Sequence, residues 1–423
     1  MTTEPPTGPP TDDATIAQRP RLVSRLRLLP LGVLVLLVAT AVVVGVVKGT
    51  PVTSGAPAAA ESPQGTSRDG KQAEKAQKQA QKQAQKAALR AKKACLPKYS
   101  TGIKKQPWQG AARAKSERAY QKQIKEENPA YVRGKGGYLF FTDYQVDNFS
   151  QALGRITQTR NQENAWVKFI KKSAATVKQA GGDYRVVVMP ANWDVHAEKL
   201  PAWAQPLRGT TSLQNLLDDH PELPWIDTRA ALKKAAKKHD TYEPLNSHWT
   251  PYGGYVAWQA ITSCLVATNP ALAGITAPLL NGVGVQANAN EFAANGVPDG
   301  KPARTVPIYA QTHPDVTMTH LPDGAAIQNS ADFVTDTVQT PLKTVTASAQ
   351  APALTMLTLR DSTGNALSPL YSWSFGTTVQ YAHGISQDGF SPPNIGQLMS
   401  TYHPNLVLFV VTERFLSQKP PKG

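Results

Sequence analysis

The sequence predicts an α/β domain, a parallel sheet layered between helices, preceded by one membrane-spanning helix. Two runs, residues 406–411 (LVLFVV), wholly apolar, and 354–359 (LTMLTL), apolar but for two threonines, read as strands covered on both faces. Short β-rich runs alternate along the chain with stretches of helical composition or periodicity. Near the start, the twenty residues 28–47 carry no charge at all. With 423 residues and 41% apolar composition the chain can bury a large core, which excludes a wholly disordered protein. Its two cysteines exclude a disulfide-stapled scaffold and a zinc ribbon.

In chain order, residues 1–27 read as a disordered tail. At about 1.5 Å per residue, segment 28–47 spans the roughly 30 Å of a bilayer's hydrocarbon core. Arg19, Arg21, Arg25 and Arg27 precede it and only Lys48 follows, so the tail is expected in the cytoplasm and the rest of the chain outside the cell membrane. Cleavage of this segment as a signal peptide is the rival reading, with Ala56-Pro57-Ala58 as the site. The apolar run exceeds the roughly 7–15 residues of a signal core, and that site lies well past its end. Residues 48–98 read as a linker and then a helical or disordered stalk. From Lys71 to Lys98 the stalk is a low-complexity Lys/Gln/Ala run with nine basic residues against one acid, Glu74. Its cations fall on one helical stripe with no apolar stripe opposite, which predicts a solvated spacer, with weak binding to a polyanionic cell envelope as the alternative. Nucleic acid is not an expected partner, because no aromatics interleave the cations and the segment lies outside the membrane.

Residues 99–423 form the globular domain. Strands are expected at 138–141, 184–189, 225–227, 354–359, 378–381 and 406–411. Helices are expected at 164–179, 229–239, after Pro251 and at 395–402, with Thr250-Pro251 as a cap followed by proline at the first helical position. Residues 269–346, rich in Gly, Ala, Asn, Thr and Pro, read as an irregular insertion with β hairpins. Within it Gly282-Val283-Gly284 partly matches a dinucleotide fingerprint, but neither a feeding strand nor a following helix is apparent, and no cofactor is expected. Cys95 and Cys264 would both lie in an oxidising compartment, either bonded to each other or as two thiols.

Two places carry candidate chemistry. The run 354–359 leads into Arg360-Asp361-Ser362-Thr363-Gly364; a serine on a strand-to-helix turn exposes its hydroxyl beside backbone N–H groups, although Asp and Ser are also ordinary helix caps. Upstream stands Tyr242-Glu243-Pro244-Leu245-Asn246-Ser247-His248-Trp249-Thr250. A serine hydroxyl needs an imidazole as base, and the imidazole needs a partner to fix its tautomer. His248, just before a helix start, is either that base or a boundary residue. No HExxH or paired-cysteine pattern suggests a metal at His196, His239, His248 or His383.

These residues resemble the SGNH hydrolase-like domain of the alginate O-acetyltransferase family (AlgX/AlgJ type). The matching segments, in order over about 131–416, are Gly134-Lys135-Gly136-Gly137-Tyr138-Leu139-Phe140, Pro190 with Asn192, Trp193 and Asp194, and Asp227-Thr228-Arg229. They continue with Tyr242, Asn246, His248, Trp249, Thr250 and Gly253, then Asp361-Ser362-Thr363, then Glu413-Arg414. The resemblance implies an SGNH-type, flavodoxin-like layered fold, circularly permuted so that the histidine precedes the serine. It also implies acetyl transfer to hydroxyls of a cell-surface polysaccharide, often beside a multi-pass membrane acyltransferase as acetyl donor. Ser362 would be the nucleophile, His248 the base and Asn246 the third member, with Asp361, Trp249, Tyr242, Asn192 and Arg360 binding substrate or supporting the site.

The sequence departs from the family's pattern at Asn246 where Asp is expected, at Thr363 where Phe is expected and at Asn192 where Lys is expected. An amide orients an imidazole but does not balance its positive charge, and Asp→Asn in a serine triad costs about 10⁴-fold in kcat. The candidates to replace that carboxylate are Asp240 and Glu243. Three functions follow: an O-acetyltransferase, a catalytically impaired glycan-binding or assembly factor, or an acetyl esterase of the same fold.

Overall fold

The computed structural model describes residues 67–124, 130–320, 344–385 and 391–421. Segment 28–47 lies outside the described residues; among those described, no helix is long and apolar enough to cross a membrane. The chain divides after Gly70, and the larger unit, from Lys71 onward, holds the sheet.

The Lys/Gln/Ala run lies in helix α1 (Ser67–Cys95), where Lys75, Lys82, Lys86 and Arg90 are exposed. Helix α2 (Ala112–Ile124) follows. Strands β1 (Tyr131–Arg133) and β2 (Leu139–Phe141) pair only with each other, so the run at 138–141 is not a member of the main sheet. Gly136 and Gly137 adopt φ of +66° and +80°, turning the chain back on itself between them, a conformation only glycine enters freely. Then come α3 (Asn148–Ala152), α4 (Arg160–Gln179), β3 (Asp183–Met189), α5 (Asn192–Val195), α6 (Ser212–Asp219), β4 (Trp225–Ile226), α7 (Arg229–Ala235) and α8 (Pro251–Thr268). The segment after α8 contributes β5 (Leu280–Gln286), β6 (Arg304–Tyr309), β7 (Val316–His320) and β8 (Thr344–Ser348). The chain closes with β9 (Thr355–Arg360), α9 (Ser368–Ser374), β10 (Thr377–Ala382), α10 (Ile395–Tyr402) and β11 (Leu406–Thr412).

The main sheet runs β4-β3-β11-β9-β10-β8-β7. Its first five strands are parallel, but β8 and β7 are antiparallel, so the sheet is mixed rather than wholly parallel. The two antiparallel strands come from the segment expected to be an irregular insertion. That segment thus supplies a sheet edge as well as the separate β5–β6 hairpin. Gly282 and Gly284 lie inside β5, which rules out a phosphate-cradling turn there.

Strand alternation sorts the core into two layers. Val187, Met189, Leu408 and Val410 face α8 residues such as Trp258, Ile261 and Leu265. Val186, Val188, Val407, Phe409 and Val411 face Trp166, Phe169 and Ile170 of α4 and Leu398 of α10. In α4 the buried residues Trp166, Phe169, Ile170, Ser173 and Val177 form one stripe, and Thr159 and Gln162 close a capping box at its start. Helix α8 is buried all round over its first half, residues 251–258, whereas Gln259, Ser263 and Val266 of its second half are exposed. Cys264 of α8 is disulfide-bonded to Cys95, tying the end of α1 to the core.

Candidate active site

At its carboxyl end β9 gives way to a single-turn 3₁₀ segment, Ser362–Ala366, before α9 begins at Ser368. Asp361 fixes that turn. Its carboxylate accepts from the Thr363 N–H (2.8 Å) and hydroxyl (2.5 Å) and from the Thr412 N–H (2.9 Å) and hydroxyl (3.0 Å). The Ile385 N–H donates to His383 Nδ1, so His383 carries its proton on Nε2 and donates it to Asp361 at 3.2 Å. Burial pushes the Asp361 carboxyl up, yet His383 and these donors outweigh it and hold the group well below the usual carboxylate range. Arg360, also buried, binds Gln380 Oε1, the Asp361 carbonyl and Asn365 Oδ1. Burial lowers its pKa to about 10, which leaves it a cation at neutral pH. Both residues brace the turn from behind and leave Ser362 exposed.

His248 is positioned from the other side. Tyr242 and Trp249 form a bridge that closes the loop between them, and Thr250 caps α8 by accepting from the Gly253 N–H. The Trp249 indole donates to the Thr363 carbonyl at 2.9 Å, joining the histidine segment to the serine turn. The outcome is His248 Nε2 at 3.0 Å from Ser362 Oγ across 114 positions of sequence.

The other ring nitrogen has two acceptors. Nδ1 lies 2.8 Å from Glu291 Oε1 and 3.0 Å from Asn246 Oδ1, which also accepts from the His248 N–H at 2.9 Å. Nδ1 therefore carries the proton, and Nε2 is free to accept one from Ser362. Glu291 Oε2 accepts from the Ser247 N–H at 2.6 Å. Burial pushes the Glu291 carboxyl up, but the hydrogen bond and charge of His248 and the Ser247 N–H bring it down to about 2. Neither carboxylate expected to serve His248 does so. Glu243 accepts from the Ala289 N–H and faces Arg304, and Asp240 lends only its backbone carbonyl, to Thr250 and Thr305. Glu291 sits 43 positions after His248 in an irregular segment, and no local motif marks it.

Ser362, His248, Asn246, Glu291 and Trp249 line a cleft of about 660 Å³. The remaining predicted residues stand behind its wall. Tyr242 is wholly buried and donates to the Pro190 carbonyl, and Asn192 is buried with its amide on the Asn246 carbonyl at 3.3 Å. Trp193 is also buried, its indole on Asn148, so it offers no surface to a sugar. Asp227 and Asp194 clamp Arg229 in a buried ion cluster away from the cleft. Among the described residues no cluster of His, Cys, Asp and Glu could hold a metal ion.

Residues 131–349 match the family described as ALGX, SGNH hydrolase-like domain, acetyltransferase AlgX. That span includes His248, Asn246 and Glu291 and ends before Ser362. In structure the chain is similar to Bacillus cereus PatB1 with a sulfonyl adduct (17% identity, TM-score 0.47, covering 69% of this chain and 96% of that one). It is also similar to the O-acetyltransferase domain of Pseudomonas putida AlgJ (17% identity, TM-score 0.41, 70% and 94%). A third similar structure is Pseudomonas aeruginosa AlgX (14% identity, TM-score 0.38, 68% and 64%). No curated protein matches the chain. The family match covers more than half of the sequence, and the chain belongs to the AlgX family of SGNH hydrolase-like acetyltransferase domains.

Proposed function

We propose that this protein is an O-acetyltransferase that moves acetyl groups onto hydroxyls of a cell-surface polysaccharide through an acyl-Ser362 intermediate. The observation that carries this reading is the 3.0 Å contact between His248 Nε2 and Ser362 Oγ at the wall of an open cleft. In the first half-reaction Oγ attacks the carbonyl carbon of an acetyl donor while its proton passes to Nε2. Collapse of the tetrahedral adduct breaks the bond to the leaving group, which takes the proton back from the imidazolium. In the second, a sugar hydroxyl gives its proton to Nε2, attacks the acetyl-serine and releases Oγ, which recovers the proton. The Ser362 N–H would serve as one donor to the developing oxyanion.

A polymeric ligand has room beside the site. The cleft is continued by a hollow of about 440 Å³ that shares Gln286 and Ala366 with it and is walled by β6. Segment 28–47 would anchor the chain in the cell membrane with residues 99–423 outside, where a multi-pass membrane acyltransferase would supply acetyl groups. The Cys95–Cys264 bond favours that oxidising side.

The test uses the full chain with an acetyl-ester reporter, with and without an acceptor oligosaccharide. Acetyl release should vanish in Ser362→Ala and His248→Ala, and adding acceptor should move acetyl groups onto sugar hydroxyls. Release to water that ignores the acceptor would make the protein an esterase, and a wild-type release no higher than that of the two variants would leave only glycan binding.

A further inference from the structure

The irregular segment between α8 and β9 holds the carboxylate that the family position lacks. We infer that Glu291 is the positioning acid of His248, and that Asn246 and Glu291 form a compensating pair in which the charge has moved from one loop to another. The inference rests on the Ser362–His248 reading of the site.

Geometry carries it. Glu291 bridges the histidine loop with both oxygens, Oε1 on His248 Nδ1 at 2.8 Å and Oε2 on the Ser247 N–H at 2.6 Å. Its backbone is sewn to the same loop, for its N–H donates to the Leu245 carbonyl at 3.0 Å. Phe292, next in the chain, is fully buried against Phe141 and Tyr131, which anchors the glutamate from the opposite side.

Asn246 is fitted to this arrangement. Its Oδ1 faces the histidine while its Nδ2 donates to the Ala289 carbonyl at 2.5 Å, two residues before Glu291. An aspartate at 246 would set an oxygen against that carbonyl and a second anion beside Glu291. Glu291 thus supplies to the same ring nitrogen the carboxylate that residue 246 does not carry. The charged groups around the pair are Glu243 with Arg304 on the cleft wall and Arg414 with Asp361 beneath. Arg414 donates to the Ser247 hydroxyl at 3.0 Å and its charge interacts with Glu291.

The test follows the pH dependence of Ser362 modification by a sulfonyl fluoride, mapped by mass spectrometry, in the full-length protein. This chemistry needs the activated serine but no acetyl donor or acceptor. Glu291→Gln is expected to slow labelling by up to about 10⁴-fold and to move the acid limb of the profile to lower pH, because imidazolium loses its counter-charge. Glu291→Asp regains part of the rate. Asn246→Asp alone gives no gain, whereas in the Glu291→Gln background it restores at least about tenfold by returning a carboxylate to Nδ1. Wild-type rate and an unchanged acid limb in Glu291→Gln would overturn the inference. So would equal slowing in Glu291→Gln, Glu291→Asp and the double variant while each keeps its folded circular dichroism. Labelled Ser362 with this pattern but no acetyl transfer would sink the transferase reading and leave the role of Glu291 standing.

Discussion

An imidazole whose Nδ1 faces two oxygens has one protonation pattern in its neutral form, and at His248 that pattern aims the basic nitrogen at Ser362. The same contact links the site to acid stability. Glu291 is held at about 2 in the folded chain, against a value near 4.3 for an unperturbed glutamate. A depressed carboxyl contributes stability above its unfolded pKa and loses it as pH falls through the folded one. Wild type should therefore exceed Glu291→Gln by on the order of 1–3 kcal/mol at pH 6 in urea unfolding, with the gap closing between about pH 4.5 and 2. A gap that is constant with pH would mean that Glu291 gains nothing from its charge. At this scale the sequence marks His248 and Ser362 because each borders a recognisable cap or turn. It does not mark Glu291, whose role exists only once an irregular segment folds back onto the loop before α8. Tyr242, Asn192 and Arg360 are legible as neighbours of the site, but polar and aromatic side chains at strand ends read alike whether they face a cleft or brace it.

Among the elements, α8 and the serine turn approach closely enough for His248 Nε2 and Ser362 Oγ to meet, and Gly254 permits it. A Cβ there would lie 2.7 Å from both the side chain and the carbonyl of Ala366 in that turn. Backbone does not yield as a flexible side chain does, so Gly254→Ala should push the turn outward and lengthen the Ser362–His248 contact. The expected loss of acetyl transfer is about 10–10²-fold, with a stability cost of about 1–3 kcal/mol. Transfer at the wild-type rate would show that the turn tolerates displacement. The core strands are legible in sequence because residues 406–411 and 354–359 are apolar on both faces, and any sheet that buries them needs helices on either side. Strands β7 and β8 are not. Each is a five-residue, threonine-rich run too short to stand out, and its place is set by pairing, β8 along β10 and β7 along β8.

For the whole molecule, the Cys95–Cys264 bond closes 169 residues of chain and joins the end of α1 to the centre of the core. In the unfolded chain it removes the freedom of a long loop, so Cys95→Ser with Cys264→Ser should lower stability by about 2–5 kcal/mol, read from denaturant midpoints of the full chain. No difference between oxidised and doubly substituted protein would show that α1 is held without the bond. The sequence leaves that bond open because two cysteines carry no information on their own separation in space. The most direct measurement on the proposed chemistry is the intact mass of the full-length protein quenched during turnover of an acetyl ester, with the modified residue mapped. One acetyl group on Ser362 in wild type, lost from Ser362→Ala and discharged when an acceptor sugar is added, is the expected result. Acetyl groups absent from Ser362, or present equally in Ser362→Ala, would contradict it.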